Sequence, residues 1–212
     1  MFAWSAGAAL PVLFLFWYNY SCFGSPFIFS YSLHHTYSHS RGILGVGWPR
    51  LSALWGISFS SYRGIFFQSP VLLLALPGFY FWWRRRKNRS ELYLSLAVVL
   101  AFFLFNSGYD YWDGVGSVGA RFLIPALPFL TFGLLEASRK WPGPLQALGL
   151  ISLIIMVAIS ATEPRAEWNV KSPVFYFTFF LLSRGYLADN LGSLAGLRGI
   201  YSLLPQVGIV II

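Results

Sequence analysis

The chain has 212 residues, 57% of them hydrophobic and only 10% charged, with 15 Lys and Arg against 7 Asp and Glu for a formal net charge of +8. At a mean hydropathy of +0.61 there is too little polar surface to coat a soluble globule of this size, which excludes a soluble fold. The basic excess does not indicate nucleic acid, because the Lys and Arg residues sit beside apolar runs and form no aromatic-interleaved basic tract, and the single Cys22 can form no internal disulfide.

In chain order, the sequence predicts an all-α polytopic membrane bundle occupying 1–212 as a single transmembrane domain. The first span covers Phe2 to Tyr18, with Pro11 tolerated inside it, and Trp17, Tyr18 and Tyr20 form an interfacial belt. A long Ser-, Gly-, Tyr- and His-rich loop follows over 19–62, broken by Pro26 and Pro49. The second span, Ile65 to Trp83, is entered through Gln68-Ser69-Pro70 and stopped by the cluster Arg84-Arg85-Arg86-Lys87-Asn88-Arg89. The third runs from Glu91 to Phe105, and Asn106-Ser107-Gly108 releases a second loop over 106–121. Phe122 to Ala137 is the fourth, ended by Ser138-Arg139-Lys140, and Leu145 to Thr162 is the fifth. Val174 to Leu182 is apolar but shorter than the ~20 residues that a span requires, so it is expected as an interfacial or incomplete sixth helix.

Clustered basic residues after spans two and four place those two connections in the cytoplasm. The loops 19–62, 106–121 and 163–172 then all face outward, across an inner or plasma membrane. The first two carry the candidate chemistry. Arg63 and Arg121 each stand where an outer loop enters a span, beside a glycine or a small residue. A guanidinium offers forked donors to phosphate oxygens, so the pair could hold a lipid-linked phosphate; the same residues would serve equally as snorkelling anchors for helix ends. Asp110 and Asp113 are the carboxylates of the second loop and candidates for a general base, although aspartate beside glycine also caps turns. Asn19, Tyr20 and Trp112 are candidate substrate-loop residues.

His34, His35 and His39 do not form a convincing ligand set, so no metal site is expected. No nucleotide-binding loop, nucleophile elbow or zinc-protease pattern is present in the sequence, and no cofactor is expected.

Three segments carry a family resemblance: Tyr18-Asn19-Tyr20 with Phe23-Gly24-Ser25-Pro26, Arg63-Gly64-Ile65-Phe66 with Ser69-Pro70, and Gly119-Ala120-Arg121 with Pro125 and Pro128. In their order and spacing the sequence resembles the C-type superfamily of integral-membrane glycosyltransferases, in the bacterial group related to protein O-mannosyltransferases and lipopolysaccharide sugar transferases. The resemblance implies a polyprenyl-phosphate-linked sugar as donor, surrounding membrane lipids as partners, and Arg63 and Arg121 as ligands of the carrier phosphate. It leaves the acceptor open.

Two departures matter. The family commonly has proline before the arginine that corresponds to Arg121, where this chain has Ala120. It also places a catalytic acid in an early outer loop, whereas no Asp or Glu precedes Glu91 here. The chain is therefore expected to match the C-terminal part of such an enzyme and not to catalyse transfer alone. A transporter subunit or a non-enzymatic remnant is the alternative. Transport sites place ionisable groups at mid-membrane, and these spans hold almost none.

Overall fold

The computed structural model describes residues 2–28, 33, 45–86, 88–167 and 169–205. By its internal contacts the chain divides into two compact units, 1–48 and 49–212. Among the described residues the fold is all-α, without a strand.

In the first unit, α1 runs from Phe2 to Phe23 and passes through Pro11. It continues five residues beyond the expected end of the first span, because the polar run Tyr18-Asn19-Tyr20-Ser21 contains no residue that breaks a helix. Gly24, at φ +73°, takes the left-handed conformation that does break it. The Gly24 amide donates to the Tyr20 carbonyl at 2.9 Å, and the chain folds back until Phe27 meets Phe16 edge-on at 5.4 Å.

The second unit begins with the short helix α2, Leu51–Ser58. The expected second span then appears in three pieces: α3 (Ile65–Gln68), a 3-10 turn (Pro70–Leu74) and α4 (Ala75–Arg85). Proline lacks an N–H and biases the preceding residue away from the helical region, so Ser69 adopts φ −129°, ψ 76° and interrupts the helix. The amide of Val71 is satisfied from elsewhere: it donates to Ser152 Oγ at 3.0 Å, while that hydroxyl donates to the Leu148 carbonyl at 2.8 Å. Buried backbone donors in apolar surroundings need such partners.

Arg86 and Asn88, both left-handed at φ 57° and 52°, turn the chain into α5, Arg89–Gly108. The expected release at Asn106 does not occur there. Asn106, Ser107 and Gly108 are buried and still helical, and the Ser107 carbonyl accepts the Arg50 amide at 3.1 Å at the start of α2. A 3-10 turn, Arg121–Ala126, leads into α6 (Leu127–Lys140), and α7 (Pro142–Ala161) follows after Trp141. Among the described residues, three helical segments are long and apolar enough to cross a membrane: Arg89–Gly108, Arg121–Lys140 and Pro142–Ala161. The helical run Val174–Ser183 is shorter, and its first part, Val174–Phe179, is π-helical. Asn190 then caps α8 (Leu191–Leu194) by accepting from the Gly192 and Ser193 amides.

α4 and α6 pack in parallel, backbone against backbone. A Cβ on Gly78 would fall inside van der Waals distance of the Gly133 carbonyl, and one on Gly133 would meet the backbone of Ala75. Ala75, Gly78, Gly133 and Ala137 are all buried. Small residues permit this approach, which is how helices associate where lipid removes the hydrophobic drive. The same contact brings Arg85 to Glu136 at 2.7 Å, and Arg139 reaches that carboxylate at 2.9 Å. Leu72, Phe79, Leu92, Phe103, Leu123 and Leu130 fill the core around this pair.

Substitution by alanine separates this contact from a general glycine effect. Gly78→Ala and Gly133→Ala are each expected to cost at least about 2 kcal/mol through overpacking. Gly149→Ala, on a helix face with open space around it, is expected to be neutral or to stabilise by up to about 1 kcal/mol. Unfolding in detergent micelles checks both, and equal effects at the three positions would refute the close packing.

Candidate functional site

Three segments converge beyond the ends of these helices: the turn at residues 59–64, the loop at 109–120 and the segment at 162–172. The Val118 amide donates to the Pro164 carbonyl at 3.1 Å, and Ser172 Oγ donates to the Ser61 carbonyl at 3.4 Å.

Arg63 lies where they meet and is fully buried. Its Nη1 donates to the Val118 carbonyl and its Nη2 to the Glu167 carbonyl, each a long bond of 3.4 Å. Its guanidinium carbon lies 4.3 Å from the centroid of the Tyr62 ring. No carboxylate among the described residues forms an ion pair with it. Gln68 Nε2 adds a shorter bond of 2.6 Å to the same Val118 carbonyl. That contact explains the small residue beside it, since a Cβ on Gly119 would strike the Gln68 amide oxygen.

The Tyr62 hydroxyl donates to Asp113 Oδ2 at 2.9 Å, and Asp113 Oδ1 accepts the Val115 amide at 3.3 Å. Asp113 therefore serves the turn and the tyrosine together. Around that turn Gly114, Val115 and Gly116 all have positive φ, and at +26° Val115 is strained for a β-branched residue. Asp110 is held 3.7 Å from Arg50, whose Nη2 donates to the Tyr109 carbonyl at 2.6 Å. Trp112 lies against Gly56, where a Cβ would overlap its ring, and meets Tyr62 edge-on at 6.0 Å.

Burial pushes the Tyr62 hydroxyl above the usual tyrosine range, and its bond to Asp113 acts the same way. Burial lowers the Arg63 guanidinium, opposed by the charges of Tyr62 and Asp113. Arginine starts high enough to remain charged at neutral pH.

Arg121 differs in its exposure and its surroundings. It is exposed, its guanidinium carbon stands 5.0 Å from the Phe122 ring centroid, and it borders a cavity of about 260 Å³. Backbone and small side chains from Ser117 to Ala120 form one wall, and Leu72, Ile124, Met156 and Ile159 supply apolar surface. Arg63 does not line this cavity. The expected two-arginine grip is thus divided: Arg63 organises the loops from inside, because its two Nη groups are turned toward backbone carbonyls, and Arg121 is the arginine that lines the space.

Asn19 and Tyr20 were expected in a loop but occupy the last turn of α1 in the first unit. Asn19 is buried and donates to the Pro26 carbonyl at 3.2 Å, while Tyr20 is exposed. His34, His35 and His39 lie outside the described residues. Among the described residues, no three His, Cys, Asp or Glu side chains gather as a metal site. Sequence reasoning passed over Tyr62, Gln68 and Arg50. The first two flank Arg63-Gly64 closely enough to have been suspected, but Arg50 is marked only by the proline before it. Comparison with known proteins finds no family model, no curated protein and no solved structure that matches this chain.

Two predictions follow from the buried cluster. Arg63→Gln should lower stability in detergent by about 2–3 kcal/mol, because two carbonyls lose donors in a desolvated site. Arg63→Lys should recover only part of this, having no fork to span both. An unchanged midpoint for Arg63→Gln would show that the residue is not a clamp.

Tyr62→Phe should cost no more than about 1 kcal/mol at neutral pH, since the Asp113 pair is half-exposed. With its folded value raised, Tyr62 contributes fully below the ordinary tyrosine value of about 10 and loses that contribution as pH climbs through the folded value. The stability difference between wild type and Tyr62→Phe should therefore shrink only in that alkaline window.

Proposed function

We propose that the chain is a membrane-embedded part of a glycosyltransferase that receives a sugar carried on polyprenyl phosphate at the outer face of an inner or plasma membrane. Five spans suit this reading: α1, the interrupted segment α3–α4, and the three long apolar segments, with the short Val174–Ser183 helix lying at the interface. The interruption at Ser69-Pro70 is compatible with a span because Ser152 satisfies the freed amide.

The observation that carries the reading is the cavity beside Arg121. A polyprenyl phosphate has an anionic head and a long apolar tail, and this space combines one exposed guanidinium with walls of Leu72, Ile124, Leu127, Met156 and Ile159. The arginine would donate to phosphate oxygens and stabilise the charge that develops as the sugar leaves. Arg63 would keep the Val118 segment in place, holding Arg121 at the rim without touching the ligand. Asp110 and Asp113 are engaged by Arg50 and Tyr62, so neither is assigned as the general base.

Binding of a short polyprenyl phosphate to the purified chain in detergent tests this. The phosphate should bind at least about tenfold more tightly than the corresponding alcohol. Arg121→Ala should remove that preference and leave thermal stability unchanged. Equal binding of phosphate and alcohol by the wild type would overturn the assignment.

A further inference from the structure

A second cavity, of about 380 Å³, lies at the opposite ends of α4 and α6, beside the start of α5. Trp82 and Phe132 give it an apolar floor, and its polar rim includes Arg85, Arg139 and Asn88. Both arginines use only Nη1 on the Glu136 carboxylate. Two guanidinium groups thus share one counter-charge, on side chains that are 47% and 53% exposed. Glu91 also lines the rim, with one oxygen accepting from Ser90 Oγ.

The sign of the field is set by the neighbours. Arg84, Arg86, Arg89 and Lys140 are all exposed beside these residues, which makes, among the described residues, six cations against the carboxylates of Glu91 and Glu136. Asn88 gives α5 no side-chain cap, leaving the first-turn N–H groups of a 20-residue helix on the same side. Uncapped amides at a helix start favour an anion.

From this arrangement we propose that the cavity holds the phosphate of an anionic phospholipid. Arg85 and Arg139 donate to the phosphate oxygens, and an acyl chain lies along Trp82 and Phe132. Basic pockets between membrane helices recognise headgroups through such forked donors over an apolar wall. The site stands apart from the Arg121 cavity, and neither depends on the other.

Native mass spectrometry of the purified chain in detergent, with dioleoyl phosphatidylglycerol or dioleoyl phosphatidylcholine added, reads the preference directly. Phosphatidylglycerol should be retained about tenfold more than phosphatidylcholine. Inorganic phosphate at matched ionic strength should not displace it, since it lacks the chains. Arg139→Gln should reduce phosphatidylglycerol retention several-fold, and Arg198→Gln, at an exposed cation elsewhere, should leave it unchanged. Equal retention of the two lipids by the wild type would overturn the proposal without recourse to any variant. Displacement by inorganic phosphate, or an equal loss in Arg198→Gln, would reduce it to general attraction between a basic chain and an anion and would likewise overturn it.

Discussion

The Val118 carbonyl accepts from both Arg63 and Gln68, and Arg63 reaches on to the carbonyl of Glu167, so three distant segments are joined through one buried guanidinium. A cation without a neighbouring carboxylate is costly to desolvate. Here the cost is offset by carbonyl dipoles and by the face of Tyr62, each modest alone. Carbonyls of loop backbone have unspent acceptor capacity, and arginine has five donors in a fixed fork with which to use it. The Val118 end of the loop that positions Arg121 is therefore held through a backbone acceptor, while Asp110 at the start of the loop pairs with Arg50.

At the other end of the helices the electrostatics are reversed. Arg85 and Arg139 are open to the surroundings and share Glu136, which Arg139 meets along α6 and Arg85 meets across the backbone contact that Gly78 and Gly133 allow between α4 and α6. A side chain at either glycine would separate the helices and part Arg85 from Glu136. Packing in the apolar layer thus sets the charge geometry at the rim. One end buries a lone charge, and the other gathers many at the surface.

Much of this was visible before the fold. α5 and α7 are long apolar runs with charges or prolines at their starts, and periodicity is not needed to recognise a segment that is apolar all round. Polarity at Asn19 predicts an earlier end for α1, whereas backbone geometry at Gly24 ends the helix. Asn106 makes the same point: a polar residue near a helix end can be buried and still helical. The burial of Arg63 was not legible at all. Its partners are main-chain carbonyls, which every residue possesses and no side-chain pattern marks. Asp113 was correctly suspected of turn chemistry, but its bond to Tyr62 crosses 51 positions of chain.

The hydroxyl that completes the interrupted segment α3–α4 belongs to Ser152, 81 positions after the amide it satisfies at Val71. During synthesis the earlier segment is made long before that hydroxyl exists. Until α7 is made, the Val71 amide keeps a water or another polar group for company. The order of translation thereby leaves the gap at Ser69-Pro70 open until the last of the long helices is packed beside it.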